Sequence, residues 1–174
     1  MNLDEAIKLI NKTKIPSHSV KWTDLGCGSG LFTAALLTLL PAGSSIYALD
    51  KIDNFQVNID DKKQSNIQFI QKDITDFPLP FKELNGFIMA NSLHYIPSPE
   101  EYLIKLKSYL VLHSQIVIVE YDTDEPAGQW VPYPISYSKL QSICLSLSKN
   151  KISKIGTYSS VYGNNNLYAA LLDL

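Results

Sequence analysis

Residues 21–33 read KWTDLGCGSGLFT, and the fold turns on how this stretch is understood. A short apolar strand ends at Asp24-Leu25. Glycines follow at positions 26, 28 and 30, and an apolar helix then runs from Ser29 to Leu40. Glycine loses more conformational freedom on folding than any other residue. Glycine at alternate positions therefore needs a cause: a positive φ, or something lying close on the backbone. A ligand on the turn supplies that cause. The first amides of a helix point outward unpaired and carry partial positive charge. The alternative is an ordinary glycine turn in a βα unit, and context decides between the two.

The spacing narrows the ligand. The dinucleotide fingerprint is G-x-G-x-x-G, with its third glycine five residues after the first. Here the third comes four after the first and an acid precedes the run, giving D-x-G-x-G-x-G. This resembles motif I of the class I S-adenosylmethionine-dependent methyltransferases.

The totals set bounds. A chain of 174 residues, 45% hydrophobic and 18% charged, suits one globular domain, 1–174, with a sizeable core. The net charge of −2 gives no electrostatic footprint for nucleic acid. All 15 basic residues are lysine. Without arginine there are no bidentate clamps on phosphate, which weakens nucleic-acid and NADP readings. Cys27 and Cys144 form no framework or CxxC. No His/Cys/Asp cluster has metal-ligand spacing, so no metal is expected. No signal peptide or membrane span is evident, and a reducing cytoplasm is the simplest compartment.

Along the chain, strands alternate with helices. Residues 2–12 read as an amphipathic helix with a capping box, Asn2 and Glu5. Within 1–16 this helix is either a cover for the sheet or a lid over a cleft. Strands are expected at 20–25, 45–49, 67–71, 86–90 and 116–119. The stretch 53–65 reads as weak helix or loop, and Phe77 to Phe81 is broken by prolines. Ser98-Pro99-Glu100-Glu101 starts a helix, and Ser138 to Leu147 reads as another. Ile152 to Val161 and Leu167 to Leu172 read as a hairpin joined by Gly163-Asn164-Asn165-Asn166. Such alternation predicts an α/β, Rossmann-like, doubly wound sheet with its ligand at the carboxyl ends of the strands. By the methyltransferase resemblance, seven strands should lie in the order 3-2-1-4-5-7-6, with strand 7 antiparallel.

The resemblance also implies roles at the strand ends. Gly26, Gly28 and Gly30 would cradle the cofactor, and Asp24 would hold its methionine amino end. Asp50 falls about 20 residues beyond Gly30, where this class of fold places an acid on a ribose. Asp73 and Ile74 would address the adenine. Asn91 would lie opposite the sulfonium. The run Asn91-Ser92-Leu93-His94-Tyr95 resembles the N-x-L-H-aromatic variant of small-molecule methyltransferases, including quinone-biosynthesis enzymes. It departs from the N/D-P-P-Y pattern of amino-methylating DNA and protein enzymes. His94, with Tyr95, is the candidate base, since an imidazole titrates near neutral pH. The alternative for His94 is a structural histidine that caps the loop. Trp130, Tyr133 and Tyr137 are candidates for an aromatic acceptor pocket, or else simply pack their loop.

The expected activity is methyl transfer from S-adenosylmethionine to a small molecule, releasing S-adenosylhomocysteine, by a monomer or homodimer. The competitors are a non-catalytic S-adenosylmethionine-binding module and, less favoured by the glycine spacing, a nucleotide-dependent oxidoreductase.

Overall fold

Seven strands form a single sheet in the order β3-β2-β1-β4-β5-β7-β6. The computed structural model describes residues 1–57, 65–147, 152–159 and 166–174. The strands are β1 (Lys21–Leu25), β2 (Ser45–Asp50), β3 (Asn66–Gln71), β4 (Leu84–Ala90), β5 (Leu110–Tyr121), β6 (Ile152–Tyr158) and β7 (Leu167–Asp173). β1 to β5 pair in parallel, and β7 runs antiparallel to both β5 and β6. Strand order and direction match the expectation. The tip of the expected hairpin, Gly163-Asn164-Asn165, lies outside the described residues, as does the 58–64 part of the weak helix or loop.

Among the described residues, four α-helices pack on this sheet: α1 (Leu3–Ile10), α2 (Leu31–Leu39), α3 (Pro99–Lys107) and α4 (Tyr137–Leu147). The capping box of α1 is made as read, with Asn2 accepting from the Glu5 amide and Glu5 from the Asn2 amide. Ser98 stands at the cap of α3, but its side chain makes no capping bond. Proline at the first turn and two glutamates near the positive end of the helix dipole start that helix instead.

Each face of the sheet carries its own apolar cluster. One joins α1 and α2 to Trp22, Ile46, Ile88, Val117 and Leu171. The other joins α3 and α4 to Leu25, Leu49, Phe87, Met89, Ile118 and Tyr168. Alternate residues of the central strands thus feed opposite faces, as the pleat requires. α1 belongs to the first cluster through Ala6, Leu9 and Ile10. It sits on α2 and β6, and the Leu9 carbonyl lies where a Cβ on Gly156 of β6 would stand.

One pairing fixes the register at the centre. Trp22 on β1 stands beside Gly86 on β4. A Cβ on Gly86 would come within 2.6 Å of the indole ring. Glycine at 86 is what lets the indole, 1% exposed, lie flat on the sheet.

β5 is longer than its apolar core suggests. It begins at Leu110 and takes in Leu112, 89% exposed. His113 adopts a positive φ of 61°, and the pairing with β4 shifts register between Leu84 and Gly86. The strand therefore carries an irregular outer half and a buried inner half, Ser114 to Glu120.

Candidate functional site

The loops at the carboxyl ends of β1, β2 and β4 are tied to one another. The amides of Gly26 and Cys27 both donate to the Leu49 carbonyl, at 2.8 and 2.9 Å. Asp50 accepts from the Gly28 amide through Oδ2 at 2.8 Å and from the Ile52 amide through Oδ1 at 2.9 Å. Ser92 Oγ donates to the Leu25 carbonyl at 2.6 Å. These bonds hold the glycine turn in one shape.

The three glycines have different reasons to be glycine, although all have positive φ, at 79°, 52° and 92°. A Cβ at Gly26 would meet Ser92 Cβ at 2.5 Å. A Cβ at Gly30 would strike Phe55 and Val57, which fold over the start of α2. At Gly28 it would meet nothing within 4 Å. Close approach by the protein's own side chains is thus one reason for glycine at 26 and 30, and open space lies beside Gly28.

Asp24 is fully buried and accepts from Thr33 Oγ1 at 2.6 Å through Oδ2. Its Oδ1 is buried with no partner. Burial, reinforced by the charge of Asp50, pushes its carboxyl up to about 7 despite the Thr33 bond. Such a group calls for a donor. Asp73 is exposed and spends Oδ1 on the amide and hydroxyl of Thr75, at 2.9 and 2.7 Å. Those bonds hold its carboxyl below the usual range. Ile74 is half-buried, next to Gly26, and its carbonyl accepts from Tyr102 Oη at 2.9 Å. Asn91 ends β4 at φ 53°, a left-handed conformation asparagine tolerates better than most residues. Its Oδ1 is buried without a partner.

A cavity of about 360 Å³ opens beyond Asn91, within the range of small-molecule sites. Asn91, His94 and Tyr95 form one wall, and Tyr121 and Thr123 close the end of β5. Glu125, Ala127, Trp130 and Val131 come from the following loop. Of the expected aromatics, Trp130 lines the cavity, 75% exposed. Tyr133 is brought only to the rim region, where its amide donates to the His94 carbonyl at 3.0 Å. Tyr137 is placed elsewhere. It starts α4, packs edge-on against Tyr168 at 5.6 Å between ring centres, and lies under Lys154.

His94 is 3% exposed and faces a carboxylate that sequence reading did not pair with it. Glu120 on β5, 1% exposed, accepts from the His94 amide at 3.2 Å through Oε1. Its Oε2 lies 2.6 Å from His94 Nδ1. Nε2 is buried with no partner. The signal for Glu120 was present in the run Ile116 to Glu120. An acid closing a buried apolar strand must be paired, but its partner, 26 residues away in sequence, follows only from strand order. Among the described residues, no group of three or more His, Cys, Asp or Glu is arranged to hold a metal, and no helix is long and apolar enough to cross a membrane.

A family model for a methyltransferase domain matches residues 23–118. No curated protein matches the chain. Among solved structures, an arsenic(III) S-adenosylmethionine methyltransferase from Chlamydomonas reinhardtii superposes with a TM-score of 0.68 at 14% identity, over 91% of this chain and 64% of that one. This chain thus spans less than two thirds of that enzyme. An S-adenosylmethionine-dependent methyltransferase from Aquifex aeolicus gives 0.65 at 16% identity, over 91% and 84%. The 1,6-didemethyltoxoflavin-N1-methyltransferase of Burkholderia thailandensis, solved with its substrate and S-adenosylhomocysteine, gives 0.67 at 14% identity, over 98% and 76%. At these identities the likeness is one of fold.

Proposed function

The chain belongs to the methyltransferase domain family, and from that premise we propose that it transfers a methyl group from S-adenosylmethionine to a small-molecule acceptor. The observation that carries the reading is the buried, unpartnered Oδ1 of Asp24 behind the open turn at Gly28. A ligand with an amino group gives that oxygen its donor. The residues present fit S-adenosylmethionine. Asp24 takes the amino end, the open backbone at Gly28 takes the chain, and Asp50 takes the ribose. Each Asp50 oxygen holds one backbone bond and keeps a second lone pair. Asp73 and Ile74 address the adenine, and Asn91 stands between this site and the cavity.

S-adenosylmethionine, when bound, supplies a methyl group on a positively charged sulfur. The chain's contribution is to hold the acceptor in line and exclude water, which can account for most of the acceleration of a displacement. The N-x-L-H-Tyr run and the cavity beyond Asn91 support a small molecule over a polymer, within the quinone-biosynthesis type of small-molecule enzyme. The reading carries with it a reducing compartment, in which the buried Cys27 and Cys144 remain free thiols.

Calorimetric titration with S-adenosylmethionine, S-adenosylhomocysteine, NAD and NADP tests the reading. Binding of the first two and neither of the others is expected. NAD binding without S-adenosylmethionine binding would favour the oxidoreductase.

A further inference from the structure

We propose that Glu120 positions His94 as a general base in the cavity wall, and that the methyl acceptor is a protic hydroxyl of the phenol or enol type. The inference rests on the methyltransferase reading above and adds the acceptor's chemistry to it.

A buried carboxylate is costly unless its oxygens are satisfied. Both oxygens of Glu120 turn to the same residue, Oε1 to the His94 amide and Oε2 to Nδ1 at 2.6 Å. An ionised carboxylate only accepts. With Glu120 ionised, the 2.6 Å contact requires the proton on Nδ1, and in the neutral ring Nε2 then holds the lone pair. A histidine that merely capped this loop would be complete at that point. Nε2 is left buried with no partner, an arrangement that is costly unless a donor fills it.

The surroundings say which donor. His94 shares its wall with Asn91, whose Oδ1 is a second buried acceptor without a partner. Two unfilled acceptors on one wall suit a ligand that brings hydrogen. Tyr95, Tyr121 and Trp130 give the cavity flat apolar surface. Among the described residues, its ionisable lining beyond the tyrosines and His94 is Glu125, and no lysine lines it. Apart from the cofactor's sulfonium, an acceptor that arrives already anionic, such as a thiolate or carboxylate, meets no cationic side chain among these lining residues. Tyr95, a surface side chain 47% exposed, has its ring centre 4.4 Å from that of His94.

The step balances within these groups. An oxygen lone pair of the acceptor forms the new bond to the methyl carbon as the carbon–sulfur bond breaks, its electron pair leaving on sulfur. The hydroxyl proton passes to Nε2. The resulting imidazolium is paired with Glu120, and solvent later takes the proton. Glu120 is a positioning residue: it acts through His94.

Nitrogen-15 NMR of the full-length chain, labelled at histidine and assigned with His94→Gln, tests the pair without turnover. The expected spectrum shows His94 protonated at Nδ1 and bare at Nε2. Phenol or catechol, added with S-adenosylhomocysteine, should move the Nε2 resonance. In Glu120→Gln the Nε2-protonated tautomer should appear, while S-adenosylhomocysteine affinity stays within about twofold of wild type, because the pair lies outside the cofactor loops. An Nε2-protonated or doubly protonated His94 in the wild-type protein overturns the proposal, and so does an Nε2 resonance that no hydroxyl probe moves. With labelled S-adenosylmethionine, transfer to catechol should fall about 10²–10⁴-fold in His94→Gly and recover with added imidazole. Transfer to thiophenol alone would overturn the acceptor class. If S-adenosylhomocysteine fails to bind the wild type, the methyltransferase reading itself falls, and the spectrum of His94 still decides the pair.

Discussion

Asp24 is fully buried, with one oxygen on Thr33 and the other unpartnered, and its titration links the cofactor loop to stability. Its carboxyl is raised from an ordinary 3.8 to about 7 by burial. Between those values the folded protein holds a proton that the unfolded chain has lost. Stability from this group is complete below about 3.8 and is lost as pH rises to about 7. The total is on the order of 4 kcal/mol. Denaturant midpoints of the ligand-free protein should therefore fall across that window, and in Asp24→Asn the slope should flatten. The glycines give a second prediction. Alanine at Gly28 meets open space, so its cost is the positive φ, about 1 kcal/mol. Its main effect should be weaker S-adenosylmethionine binding, read by calorimetry. Alanine at Gly26 must displace Ser92 and should lower the melting temperature more. Spacing alone picked out both glycines and Asp50. It could not tell which glycine opens on free space, because Ser92, Phe55 and Val57 reach the turn from distant parts of the chain.

At the scale of elements, α1 carries the open question of cover against lid. A lid exchanges between two positions and buries little when open. α1 instead packs Ala6, Leu9 and Ile10 into the cluster on its face of the sheet, against α2 and β6. Leu9→Ala should cost about 2–5 kcal/mol in denaturant unfolding, with cofactor affinity of the folded protein unchanged. A lid would show the reverse: little loss of stability and faster cofactor release. The amphipathic period and capping box made α1 legible. The inner half of β5 was legible through its β-branched run, Ile116 to Val119, and the strand order through the family resemblance. The outer half of β5 was not, because Leu112 and His113 sit in an exposed stretch between the Leu84–Leu110 and Gly86–Gln115 pairings, where burial leaves no pattern to read. The loop carries aromatics at Trp130, Tyr133 and Tyr137, and the start of α4 turns the last of them inward to Tyr168.

Across the whole molecule, the candidate cofactor residues come from four adjacent strands. Asp24 lies on β1, Asp50 ends β2, Asp73 follows β3, and Asn91 follows β4. A few hydrogen bonds join the corresponding loops, such as those from Gly26 and Cys27 to Leu49, Gly28 to Asp50 and Ser92 to Leu25. A ligand that touches all four strand ends must therefore stabilise the sheet as a unit. The size of the effect follows from mass action. Ligand at 100 times its dissociation constant adds about 2.7 kcal/mol. For a domain of this length each kcal/mol raises the melting temperature by about 2–4 °C. Saturating S-adenosylhomocysteine should thus raise it by roughly 5–10 °C. Asp50→Ala tests whether the coupling runs through β2. It removes acceptors for the Gly28 and Ile52 amides, so the unliganded protein should melt lower, by about 1–3 kcal/mol. It should also lose roughly 2–4 kcal/mol of ligand affinity, so that at the wild-type saturating concentration most of the thermal shift disappears. A mutant that melts lower yet keeps the full shift would mean that Asp50 serves the turn alone and that the ribose is held elsewhere on the edge.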